Sequence, residues 1–137
     1  MTTIYRSLLT AFLIAFVSQL SMAQCKVDEC VSKLSGGFTF LKSYQTDNTN
    51  EKAEYSYVFS KETNYMMSMC GKDGTAQDIT VTLYDSQNKQ IATNFDKKSG
   101  KYYPAIVYSC KSTGIYYIKF TFNGKPDCFT GVLAFKK

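Results

Sequence analysis

Residues 79–84 (ITVTLY) alternate apolar Ile79, Val81 and Leu83 with Thr80, Thr82 and Tyr84, and no other feature of the chain restricts its fold as much. A period of two puts one set of side chains on a core face and the other towards water, which a helix of 3.6 residues per turn cannot do. A second run, residues 114–120 (GIYYIKF), repeats the pattern after residues 104–110 (PAIVYSC). β-Branched and aromatic residues bounded by turn residues specify strands.

The same reading extends along the chain. Strands are predicted at residues 38–44, 55–59, 65–70, 79–84, 91–95, 105–110, 115–122 and 129–135. Turn chemistry separates them: the polar stretch 45–52, the linker 60–64, GKDG at 71–74, DSQN at 85–88, and a segment with lysines, serine and Gly100 that leads to Pro104. Pro104 suits the start of a strand, where no ladder donor is needed. Val27, Cys30, Val31 and Leu34 recur at helical spacing before Gly36 and Gly37, which predicts one short helix or turn. About eight strands with almost no helix argue for an all-β sandwich.

The N-terminus predicts export. Arg6 supplies a basic start, residues 8–17 (LLTAFLIAFV) an apolar stretch, and Ser21-Met22-Ala23 a small-x-small cleavage site, so residues 1–23 read as a signal peptide with Gln24 the first mature residue. The apolar run is about half the ~20 residues that a bilayer-spanning helix needs, and no stop-transfer segment follows, so no transmembrane anchor is expected. The expected organisation is a signal peptide (1–23), a cysteine-containing segment (24–37) and one sandwich domain (38–137).

Arg6 is the only arginine, and histidine and tryptophan are absent. Without histidine the chain lacks the usual general base and the favoured zinc ligand, which excludes histidine-based triads. Without arginine in the mature chain, bidentate recognition of phosphate or guanine is lost, and the 15 lysines are interspersed with 11 acids, so nucleic acid is not an expected partner.

Cys25, Cys30, Cys70, Cys110 and Cys128 all follow the cleavage site and would meet an oxidising compartment. Five cysteines form at most two internal bridges, with one thiol over; 15 two-bridge connectivities are open. No C-x-x-C pair points to a metal instead.

The Y-S-Y-V-F strand, D-I-T-V-T-L-Y-D followed by a turn and I-A, and S-T-G-I-Y-Y-I-K-F, in that order over residues 38–135, resemble the bacterial pre-peptidase C-terminal domain and related jelly-roll modules. The resemblance implies a jelly-roll-like antiparallel β-sandwich, although the cysteines and residues 25–34 depart from the common pattern. Jelly-roll order would set the end of strand 65–70 beside the start of strand 129–135, implying a Cys70–Cys128 bridge, with Cys110 reached by Cys30 or Cys25.

Candidate site residues are few. Tyr57, Phe59, Tyr116, Ile118, Phe120, Leu133 and Phe135 hold alternating strand positions and are expected in the core. Tyr102 and Tyr103 fall outside the strands among Lys97, Lys98 and Lys101, where a ring can contact a ligand or simply cover a sandwich end. Asp78, Asp85 and Asp96 sit at strand ends or turns; they suit calcium as hard-oxygen donors, and equally suit turns as backbone caps. No cofactor other than calcium is implied. These residues point to a secreted non-catalytic module that binds a polysaccharide, a cell-surface component or a protein. The alternative is an accessory subunit of an envelope or extracellular complex, assembled through the odd thiol or an edge strand; a hydrolase built on paired carboxylates ranks last.

Overall fold

In the computed structural model, residues 27–45, 52–71, 78–124 and 128–137 are described. The expected signal peptide 1–23, the cleavage point at Gln24, Cys25 and most of the polar stretch 45–52 lie outside the described residues. In chain order the elements are α1 (Val27–Ser32), β1 (Thr39–Gln45), β2 (Lys52–Phe59), β3 (Asn64–Gly71), β4 (Ile79–Tyr84), β5 (Gln90–Thr93), β6 (Phe95–Asp96), β7 (Lys101–Tyr102), β8 (Ala105–Ser109), β9 (Gly114–Phe122) and β10 (Phe129–Lys136). Among the described residues, no helix is long and apolar enough to cross a membrane.

Alternation decides the layers. In β4, Ile79, Val81 and Leu83 are buried while Thr80, Thr82 and Tyr84 are half-buried on the outer face. Each sheet thus has one apolar face, and two such sheets bury those faces against each other. The strand orders are β1-β10-β3-β8 and β2-β9-β4-β5, every pair antiparallel. Consecutive strands mostly change sheets, which is jelly-roll connectivity. The expected all-β jelly-roll-like sandwich of eight main strands with a short N-terminal helix is therefore observed. β6 and β7 form a separate two-stranded hairpin that the sequence reading treated as strand end and loop.

Aromatic side chains fill the space between the sheets. Phe59 stacks on Tyr65 with ring centroids 3.8 Å apart and on Tyr116 at 4.9 Å, and Phe120 meets Phe129 at 4.7 Å. Such pairs contribute about 0.5–1.5 kcal/mol each beyond simple burial. Phe59, Tyr116, Ile118, Phe120 and Leu133 are buried, and Tyr57 and Phe135 pack against them half-buried. Gly131 faces this core because Phe120 lies over it; a Cβ there would sit 2.7 Å from the ring.

The outer face of the first sheet is covered by α1 over β3 and β10, while Val107 of β8 stays exposed. Six residues cannot hold a helix in water by themselves. Here Cys30 is joined to Cys70 of β3, with Cα atoms 6.1 Å apart, and Val31 and Leu34 pack around Cys30, Cys70 and Val132. The expected pairing is corrected in two places. The predicted adjacency is present, with Cys70 opposite Thr130, but the Cys70 side chain points to the outer face, where α1 brings Cys30 to it. Cys128 is also disulfide-bonded, to neither Cys70 nor Cys30. Among the described residues Cys110 is the free cysteine, and it is buried. β1 and β8 are opposite edges of one sheet, three strand spacings or roughly 14 Å apart, so a thiol just after β8 is remote from the chain that enters β1.

Tyr44 of β1 is buried, its ring 4.4 Å from that of Tyr55, and its hydroxyl has no hydrogen-bond partner among the described residues. Burial, and then the neighbouring Tyr57 and Tyr55, push its pKa from 10 up to about 12. The folded state thus holds this proton more tightly than the unfolded chain. The associated stability is complete below pH 10 and is lost as pH rises towards 12. Urea midpoints should fall over that alkaline window, and Tyr44→Phe should remove part of the fall. At neutral pH the same change should be neutral or stabilising by up to about 1 kcal/mol, because it deletes an unpartnered hydroxyl.

The Cys30–Cys70 bridge closes a sequence separation of 40 residues. Loop-closure entropy assigns such a bridge about 4 kcal/mol. Cys30→Ser/Cys70→Ser should lower the denaturant midpoint accordingly, and a non-reducing peptide map of the unsubstituted protein should yield a Cys30–Cys70 linked pair with Cys110 as the alkylatable thiol after unfolding.

Candidate functional site: a lysine and tyrosine hairpin

After β5 the chain must leave the sheet, and leaving would orphan backbone groups of β4. Asn94 prevents this. Its N–H still donates to Val81 O at 3.2 Å, while its side chain takes over the rest of the ladder: Oδ1 accepts from Val81 N–H at 2.8 Å and Nδ2 donates to Ile79 O at 2.9 Å. Nδ2 also donates to Tyr103 O at 3.0 Å, and Tyr103 N–H donates to Asn94 O at 2.9 Å. Asn94 is fully buried, so both ends of residues 94–103 are closed on one amide. The next carbonyl, Pro104 O, accepts from Met69 N–H of β3 at 3.2 Å. The segment is therefore fastened to both sheets.

Between these fixed ends β6 and β7 pair as Phe95 with Tyr102 and Asp96 with Lys101, and the rings of Phe95 and Tyr102 lie 4.7 Å apart. Asp96 closes the turn. Its Oδ1 accepts from Lys98 N–H at 2.9 Å, its Oδ2 from Ser99 Oγ at 2.6 Å, and its carbonyl from Gly100 N–H at 2.8 Å, with Gly100 in the left-handed region at φ 68°. The Ser99 hydroxyl, followed by the Lys98 N–H, holds the Asp96 carboxyl below its ordinary value. Lys97, Lys98 and Lys101 are exposed, Tyr102 is half-buried, and Tyr103 is 51 % exposed.

The hairpin thus collects Tyr102 and Tyr103, singled out from the sequence, with the three lysines beside them. The aspartates behave differently. Asp78 and Asp85 bracket β4, roughly 20 Å apart by strand rise. The Asp85 carboxylate accepts from Gln87 and Lys89 N–H, both at 2.9 Å, so Asp85 and Asp96 each close their own turn. Asp78 stands before β4 in the left-handed region, its carbonyl accepting from Asn123 N–H at 2.9 Å. The structure does not bring the three together, and among the described residues no cluster of metal-ligating side chains occurs. The odd thiol is not a surface group either: Cys110 Sγ lies 3.1 Å from Ser112 O and 3.7 Å from the Tyr116 hydroxyl. Asn94 was missed in the sequence; its signal was an asparagine inside an otherwise strand-like run, IATNF.

A second exposed feature lies on the outer face of the other sheet. Val58 on the edge strand β2 and its cross-strand partner Ile115 are about half exposed, beside a shallow groove of about 450 Å³ lined also by Ser56 and Tyr57.

No family model matches the chain, and no curated protein matches it in sequence. Among solved structures the sandwich is similar to the crystal structure of Aeromonas hydrophila PliG, a periplasmic lysozyme inhibitor of g-type lysozyme. The TM-score is 0.51 at 10% sequence identity, over 76% of this chain and 92% of that one. At that identity the likeness is one of fold.

Replacing Asn94 by alanine would strip partners from Val81 N–H, Ile79 O and Tyr103 O. Stranded buried groups cost about 1–3 kcal/mol each before relaxation or water entry. Asn94→Ala should therefore destabilise by about 3 kcal/mol in urea unfolding, and amides 95–103 should lose hydrogen-exchange protection ahead of β4 and β9.

Proposed function

We propose that the chain is an exported, non-catalytic module that recognises a partner protein through the hairpin of residues 95–103. The observation that carries this reading is the hairpin itself: a short exposed element fixed at both ends by a buried amide, with exposed Tyr103 and three exposed lysines. Preorganisation of this kind lowers the ordering cost of binding, and tyrosine is a favoured interface residue. The disulfide-bonded cysteines and the signal-like N-terminus support export, as does the resemblance to pre-peptidase C-terminal modules. A protein partner is favoured over a polysaccharide by the fold likeness to a protein described as an inhibitor of g-type lysozyme.

A second reading, assembly into a larger complex, draws on the edge strand β2 and the exposed Val58 and Ile115. It no longer includes the odd thiol, because Cys110 is buried.

The test uses oxidised residues 24–137 against immobilised g-type and other lysozymes, with a glycan array in parallel. Saturable binding to a lysozyme, weakened about tenfold or more by Tyr103→Ala, is the expected outcome. Glycan binding with no protein bound would overturn the protein-partner reading. A concentration-dependent dimer in sedimentation, abolished by Val58→Lys, would move the assignment to assembly.

A further inference from the structure

The hairpin carries charge that the fold does not neutralise. Lys97, Lys98 and Lys101 fall within five residues, and none has an ion-pair partner among the described residues. Two lysines elsewhere are used by the fold: Lys119 pairs with Glu54 at 3.2 Å and lies 4.6 Å from the Tyr84 ring centroid, and Lys136 donates to Gly36 O at 2.8 Å. The one carboxylate of the hairpin, Asp96, accepts hydrogen bonds from its own turn. Three ammonium groups over one committed carboxylate form a locally positive tip. With a Debye length of about 8 Å at physiological salt, they act as one patch on any surface that the hairpin touches.

We propose that this tip docks on an acidic surface of the partner protein, an inference that rests on the hairpin being the docking element. Charge complementarity carries it: unpaired lysines at the edge of an interface accelerate encounter and select partners of opposite sign. An acidic polysaccharide is the rival source of negative charge, and the rings disfavour it. A sugar chain stacks on several free aromatic faces, whereas Tyr102 is half-buried and packs against Phe95 at a tilt of 39°, leaving Tyr103 as the single open ring of the hairpin.

The probes are a poly-L-glutamate peptide, polygalacturonate and phosphatidylglycerol vesicles, titrated into ¹⁵N-labelled, oxidised residues 24–137. With the peptide, amide shifts should concentrate at residues 95–103, and the dissociation constant should rise about tenfold or more between about 50 and about 300 mM NaCl. Lys97→Gln/Lys98→Gln/Lys101→Gln should weaken binding by about tenfold, while Lys61→Gln/Lys89→Gln/Lys111→Gln, which removes equal charge elsewhere, should change it by less than about twofold. Equal loss in the two triple variants, shifts away from the hairpin, or tighter binding of polygalacturonate or vesicles than of the peptide would overturn the proposal. The two readings fail separately. Lysozyme binding lost in Tyr103→Ala but unchanged in the hairpin lysine variant would keep the docking hairpin and reject the acidic surface; binding unaffected by either variant would reject the hairpin itself.

Discussion

One buried amide fastens the hairpin of residues 95–103 to the sandwich. Asn94 stands where the chain departs from β5, and its side chain supplies to β4 the donor and acceptor that a continuing strand would have supplied. A leucine there could fill the volume but could satisfy neither Val81 N–H nor Ile79 O. The same amide reaches Tyr103, and the following Pro104 O reaches Met69. A segment that would otherwise be a loose crossover between sheets becomes a hairpin with a defined base. Fully satisfied buried polar groups of this kind specify one arrangement, because any other leaves costly unpaired groups.

The two outer faces of the sandwich are treated differently. One is capped over β3 and β10 by α1, a helix too short to persist alone, and the Cys30–Cys70 bridge together with Val31, Leu34 and Val132 keeps it in place, with Val107 on β8 left exposed. The other carries Tyr84, Tyr117, Lys119 and the exposed Val58 and Ile115, and among the described residues no helix lies over it. Along the edge strand β2, Lys52 and Glu54 put charge on the outer face, a feature that discourages indiscriminate edge-to-edge pairing. The interior is filled by stacked aromatics, and Gly131 makes room for Phe120.

Much of this architecture could be read from period and turn chemistry. The alternation in ITVTLY and IYYIKF placed Val81, Leu83, Ile118 and Phe120 inside, and turn residues divided the eight main strands. What period cannot carry is partner choice at a distance. Which cysteines meet depends on which face each strand presents and on how many strands lie between; Cys70 faces α1, and Cys110 is two strands removed from β1's neighbour β10. The hairpin was hidden for a different reason. Two-residue strands have no measurable alternation, and Asn94 looks like an ordinary turn residue until its amide is seen to replace a missing ladder. Asp85 and Asp96 were ambiguous between turn cap and metal ligand; the hydrogen bonds they accept are those of turn caps.

A preorganised hairpin requires residues 95–103 to be as rigid as the sheets that hold them. Backbone ¹⁵N relaxation on oxidised residues 24–137 measures this directly. Order parameters near about 0.85 across the hairpin, matching β4 and β9, are the expected result; values below about 0.6 at residues 95–103, with the sheets still rigid, would contradict a preorganised binding element.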